Sequence, residues 1–152
     1  RTSMNILPET VLELSKIDNI VGIKEASGNI SQVAKIASLC GDDFAIYSGN
    51  DDQICPILSL GGKGVISVLS NVAPKLTCSI TNSFFKKATD EACFYQLQAL
   101  PLIEALFAET NPIPIKSAIS MIGFDFGVPR LPLVECSANL KNKIRQIYDT
   151  TK

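Results

Sequence analysis

A chain of 152 residues, 46% apolar and 19% charged with a formal net charge of −1, is long enough for one domain with a real core. That balance gives no electrostatic footprint for nucleic acid or an anionic membrane, and no apolar run approaches the roughly 18–20 residues of a bilayer span. Histidine is absent, which removes the commonest general base and zinc ligand and excludes Ser-His-Asp and Cys-His nucleophile systems within this chain.

In chain order, Pro8-Glu9-Thr10-Val11-Leu12-Glu13-Leu14-Ser15 predicts a helix, with proline in its first turn and an apolar side at Val11, Leu12 and Leu14. Ile20-Val21-Gly22-Ile23 is a β-branched run that predicts a buried strand, and Ser27-Gly28-Asn29 a turn. Ile30, Val33, Ala34 and Ala37 mark an amphipathic helix stopping at Gly41. The pattern repeats. Phe44-Ala45-Ile46-Tyr47 predicts a second strand, Ser48 to Asp52 a capping turn, and Ile54, Ile57, Leu58 and Leu60 a helix closed by Gly61-Gly62. Gly64-Val65-Ile66-Ser67-Val68 predicts a third strand, and Asn71 and Pro74 open a helix toward Lys87.

Strand–helix alternation with short loops argues for parallel strands joined by crossovers. Beyond Lys87 the segments 90–109, 112–122 and 137–149 read as helices, jointed at Pro112, Pro114, Pro129 and Pro132. Two regions are therefore expected, βα units over 1–88 and a helical region over 89–152. Three parallel strands are a narrow sheet for a complete α/β domain. A (β/α)₈ barrel needs about 250 residues. Arg1 opens the chain without a methionine, and the expectation is a piece of a longer protein.

The five cysteines, Cys40, Cys55, Cys78, Cys93 and Cys136, are odd in number and lack C-x-x-C spacing. That predicts neither disulfides nor a thiolate metal site but small core residues in a reducing, cytoplasmic setting. Lys24 directly follows the first strand. At the mouth of a barrel such a lysine, made neutral by burial, is a nucleophile able to form an imine with a ketone, and needs no metal. The plain alternative is a lysine turning its head to solvent.

Gly22-Ile23-Lys24-Glu25-Ala26-Ser27-Gly28 resembles the Schiff-base strand of the dihydrodipicolinate synthase family. Three further segments resemble it in order: Tyr47-Ser48-Gly49-Asn50-Asp51, Gly61 to Val68 with Asn71-Val72-Ala73-Pro74, and Phe107-Ala108-Glu109-Thr110-Asn111-Pro112-Ile113-Pro114-Ile115-Lys116. Arg130-Leu131-Pro132-Leu133 also fits, and Arg1-Thr2 resembles the close of a stretch after the family's fifth strand. The resemblance covers essentially the whole chain.

It implies an α/β fold, a partial (β/α)₈ TIM barrel holding the last three βα units, followed by a C-terminal helical segment. It implies a lyase of lysine and diaminopimelate biosynthesis that condenses pyruvate with aspartate 4-semialdehyde, without a cofactor and, at full length, as a homotetramer. Lys24 would form the imine. Ile66 would contact pyruvate through its backbone, Gly49 would leave room beside the imine, and Arg1 would draw the semialdehyde carboxylate. Read without the family, Ile66 is a core strand residue, Gly49 and Asn50 a turn and cap, and Arg1 a chain end. Glu109 and Lys116 read as structural. The family's tyrosine and threonine–tyrosine relay have no counterpart here, so the chain by itself is expected to be inactive or nearly so. Two alternatives stay open: a related pyruvate-dependent aldolase (an N-acetylneuraminate lyase or a 2-keto-3-deoxy sugar acid aldolase), and a non-catalytic α/β module.

Overall fold

The computed structural model describes residues 4–151, without the side chain of Thr151. Among them are three parallel strands and seven α-helices, an α/β chain. They divide into two compact units, 1–67 and 68–152.

The first unit holds α1 (Pro8–Ser15), β1 (Gly22–Glu25), α2 (Ile30–Cys40), β2 (Ala45–Ser48), α3 (Ile54–Ser59) and β3 (Gly64–Val65). The strands lie in the order β1-β2-β3. Helix α2 starts and stops for local reasons. The Asn29 side chain accepts from the Gln32 amide at 3.2 Å, and Gly41, at φ 70°, ends the helix where a side chain would be strained. Val11, Val33, Ile36, Phe44, Ile46 and Ile57 form the buried core, with Ile20 and Ile23 packed against it.

Side chains alternate across a strand, and here the alternation divides the sheet sharply. Ile23 pairs with Ile46 in register, and Glu25 with Ser48. This row faces α1 and α2, and Ile46, Glu25 and Ser48 are buried. The next row over is Lys24, paired with Tyr47, which pairs in turn with Gly64. Lys24 and Tyr47 are exposed. The described residues leave that face of the sheet uncovered, although parallel sheets are ordinarily covered on both.

The second unit is helical: α4 (Pro74–Phe85), α5 (Thr89–Phe107), α6 (Ile113–Met121) and α7 (Ala138–Thr151). On α5, Ala92, Gln96, Ala99, Ile103 and Leu106 recur at helical spacing and are buried. Helix α5 packs against α4, α6 and α7. Ile80, Leu102 and Ile144 are among its fully buried side chains.

Three sequence expectations need correction. The first strand runs Gly22–Glu25 rather than from Ile20, because the Ile20 amide donates to Ile17 O in a turn. Lys24 is thus inside the strand, not beyond it. The third strand pairs only at Gly64 and Val65, and by Val68 the backbone is already in the helical region, capping a 3₁₀ turn at Leu69–Asn71. Of the cysteines, Cys55 and Cys136 are buried and Cys40 half-buried, but Cys78 and Cys93 are exposed on helices.

Candidate functional site

Lys24 is the third residue of β1 and lies on the uncovered face. Its ammonium makes no hydrogen bond or ion pair among the described residues, so the backbone and the packing of its stem set its place. That packing comes from Gly49. The Gly49 amide donates to Glu25 O at 2.7 Å, continuing the β1–β2 ladder one step past β2. A Cβ placed on Gly49 would stand 2.9 Å from Lys24 Cε and 2.6 Å from Ala26 Cβ. No real side chain fits that space, so glycine is what lets the two strand ends close on the lysine stem.

Ile66 follows β3 at once. Its amide donates to Ser48 O at 2.8 Å, and its side chain is 48% exposed. The Ile66 amide is therefore committed within the sheet. Tyr47, beside Lys24 in register, lays its ring along Gly64, with Cδ1 and Cε1 3.5 Å from where a Cβ would be. Lys24 and Gly49 are thus brought into contact, with Ile66 at the same end of the sheet. Arg1 lies outside the described residues.

A cleft of about 620 Å³ lies elsewhere, in the helical unit, lined among others by Lys116, Glu135, Cys136, Lys141 and Arg145. Most of its polar groups satisfy one another. Lys141 pairs with Glu135 at 3.1 Å, and Lys116 donates to Val128 O at 3.4 Å. Burial, then the charge of Glu109 and a hydrogen bond to its carboxylate, push the Cys136 thiol up from its ordinary range. A thiol held protonated is a poor nucleophile. Volume alone does not make this the reactive place. Among the described residues no group of three or more acidic, cysteine or histidine side chains is placed to hold a metal ion, and no helix is long and apolar enough to cross a membrane.

Comparison with known proteins settles the family. The model of the dihydrodipicolinate synthetase family matches residues 1–151. The chain belongs to that family. Among curated dihydrodipicolinate synthetase relatives, the 4-hydroxy-tetrahydrodipicolinate synthase of Caldicellulosiruptor saccharolyticus is 60% identical over 133 residues, which are 88% of this chain and 45% of that protein. The 4-hydroxy-tetrahydrodipicolinate synthase 1 of Clostridium acetobutylicum is 56% identical over 142 residues, 93% of this chain and 48% of that protein. The crystal structure of the Thermotoga maritima dihydrodipicolinate synthase superposes with a TM-score of 0.96 at 40% identity, over 99% of this chain and 52% of that one. The chain spans about half the length of the curated relatives it matches.

One participant escapes the sequence reading. Glu25 enters there only as a letter of a motif, yet the residue is only 5% exposed at the end of the lysine strand. The signal was the alternation itself. Ile23 and Glu25 share a face, so a strand through Lys24 must turn Glu25 toward the helices.

Proposed function

We propose that this chain is the lysine-bearing part of an enzyme that condenses pyruvate with aspartate 4-semialdehyde to 4-hydroxy-tetrahydrodipicolinate, and that Lys24 is the amine that captures pyruvate. The observation that carries the reading is the contact of Gly49 with the Lys24 stem on an uncovered sheet face, in a chain of this family. The three βα units are then the last three of a (β/α)₈ barrel, and the uncovered face is its interior, where the C-terminal strand ends hold the chemistry. Residues 1–88 belong to the barrel and 89–152 to the helical region after it.

The Lys24 amine attacks the keto carbon of pyruvate, and loss of water gives an imine. Loss of a proton from the methyl group gives an enamine, whose carbon attacks the aldehyde of the semialdehyde. The amino group of the adduct then closes on the imine carbon, and the Lys24 amine leaves intact. Gly49 keeps the space beside Lys24 Cε open for the imine. Ile66 presents its carbonyl to pyruvate, and Arg1 offers a guanidinium fork to the second carboxylate. No cofactor enters these steps.

A lysine becomes a nucleophile by losing its charge, and burial is the usual means. Lys24 is exposed here. The covering groups, and the positioned acids and bases worth about 10²–10⁴-fold in such proton transfers, are assigned to the remainder of the whole protein. That protein is read as a cytoplasmic homotetramer, and this chain alone as nearly inactive.

Borohydride reduction in the presence of labelled pyruvate tests the reading on the intact protein. Label should map to Lys24 and vanish in Lys24→Arg. Label on another lysine, or none, removes the proposal. Turnover of aspartate 4-semialdehyde but not of N-acetylneuraminate separates the synthase from the related lyases.

A further inference from the structure

Glu25 adjoins Lys24 in sequence, but its side chain lies on the opposite face of the sheet. A carboxylate taken out of water must find donors, and this one finds three. The Ser27 amide donates to Oε1 at 2.9 Å and the Ser27 hydroxyl to Oε2 at 2.9 Å. Gln32 Nε2, from α2, donates to Oε1 at 3.4 Å. The network extends outward. The Ser27 hydroxyl accepts from the Asn29 amide at 3.1 Å, at the residue that caps α2. The Gln32 and Asn5 amides exchange hydrogen bonds at 2.6 and 3.1 Å. On the backbone side, Glu25 O receives the Gly49 amide at 2.7 Å. Glu25 is therefore gripped twice, by α2 and the turn through its side chain and by the β2 end through its carbonyl. The Lys24 side chain, one residue back, makes no hydrogen bond among the described residues.

The geometry points to Glu25 as a positioning residue for Lys24. Its buried carboxylate locks the turn that follows β1 and so holds the lysine stem against Gly49. The inference rests on Lys24 being the imine-forming amine. It differs from a general stabilising role in one respect. Misplacing a reacting group by about 1 Å can cost on the order of 10²-fold in rate, whereas a loss of folded chains lowers the number of reactive sites and not the rate at each.

Borohydride trapping with pyruvate reads both quantities on the intact protein. Glu25→Gln keeps the shape but replaces one acceptor oxygen with an N–H donor, breaking the two-oxygen grip on Ser27. The labelling rate constant at saturating pyruvate should fall at least about tenfold, with every chain still labelled in the end. An unchanged rate constant overturns the inference, whether or not the labelled fraction drops. If Glu25→Gln does not fold, Ser27→Ala removes the hydroxyl's bond to Glu25 Oε2, with the one it accepts from the Asn29 amide, but keeps the Ser27 amide on Oε1, and should slow labelling about threefold. Wild-type speed in that variant is equally fatal. Absence of label in the unsubstituted protein is a different failure: it removes the Lys24 reading, and this inference goes with it.

Discussion

The two faces of the three-stranded sheet are built from alternate residues of the same strands, yet they serve opposite ends. Toward the helices, Ile23, Ile46, Glu25 and Ser48 are packed or hydrogen-bonded, and Ile36 and Val33 close over them. On the other side stand Lys24, Tyr47 and Ile66, each exposed. The strand cannot change one row without the other, because its period is two. Stability therefore comes from one face, and the proposed reactivity falls to the face that packing has not used up. Glu25 is the link between them, a buried residue on the stable side whose backbone fixes a residue on the other.

The comparison breaks most visibly in stability. Ile36 is fully buried, and Ile36→Ala should cost about 2–5 kcal/mol by lost transfer energy plus a cavity. Tyr47 is 37% exposed, and Tyr47→Ala in this 152-residue chain should cost under about 1 kcal/mol, as for other partly exposed sites. In the intact protein, if the uncovered face is the interior of a barrel, the same Tyr47→Ala should approach about 3 kcal/mol. Urea unfolding of both forms measures the difference. Equal small costs in the two contexts would show that nothing covers this face.

A second prediction sharpens the comparison at the point where the strands meet. Gly49→Ala places a methyl 2.9 Å from Lys24 Cε and 2.6 Å from Ala26 Cβ, so one of the two strand ends must move. The intact protein should lose about tenfold or more in pyruvate trapping. Asn50→Ala, one residue on, should stay within about threefold, because Asn50 bonds Ser48 Oγ through its backbone, which alanine keeps, and among the described residues its side chain makes no hydrogen bond to the lysine strand. A Gly49→Ala enzyme of full activity would mean that the lysine stem is not confined as the structure has it.

Much of this organisation is legible in the residues. The Gly41 stop bounds α2 because it acts locally, through a left-handed φ, and the turn read at Ser27-Gly28-Asn29 also supplies the Asn29 cap, through a side-chain oxygen. Lys24 and Gly49 stand out through a family resemblance, and their contact follows from the β1–β2 register, which no single segment encodes. Strand limits are harder. Ile20 packs on the core from outside the strand, so its apolar character signals burial without pairing. Ile66 and Val68 are apolar as well, but β3 ends at Val65, since pairing needs a neighbour and β2 runs only to Ser48. Cys78 and Cys93 read as core because their neighbours are apolar, yet each falls on the outward side of its helix, a matter of a single residue's rotation about the axis.

The smallest effect concerns those cysteines and compares the helical unit with itself. Cys78 and Cys93 are exposed, whereas Cys136 is 6% exposed and its thiol is pushed up by burial and by the Glu109 carboxylate. Reaction with a disulfide or maleimide reagent goes through the thiolate. At pH 8 the exposed pair should therefore label first, with Cys136 slower by about tenfold or more, as a raised thiol pKa and restricted access both act in that direction. Glu109→Gln removes the negative charge and should bring Cys136 partway toward the others, with the rate still rising as pH is increased. Burial and the neighbouring carboxylate penalise only the Cys136 thiolate, so stability is untouched while the thiol is protonated in both states and falls as alkaline pH rises from the unfolded thiol's range through the raised value. Mass spectrometry of the labelled protein over time decides it, and a Cys136 that reacts as fast as Cys78 would show that the Glu109 contact does not persist in solution.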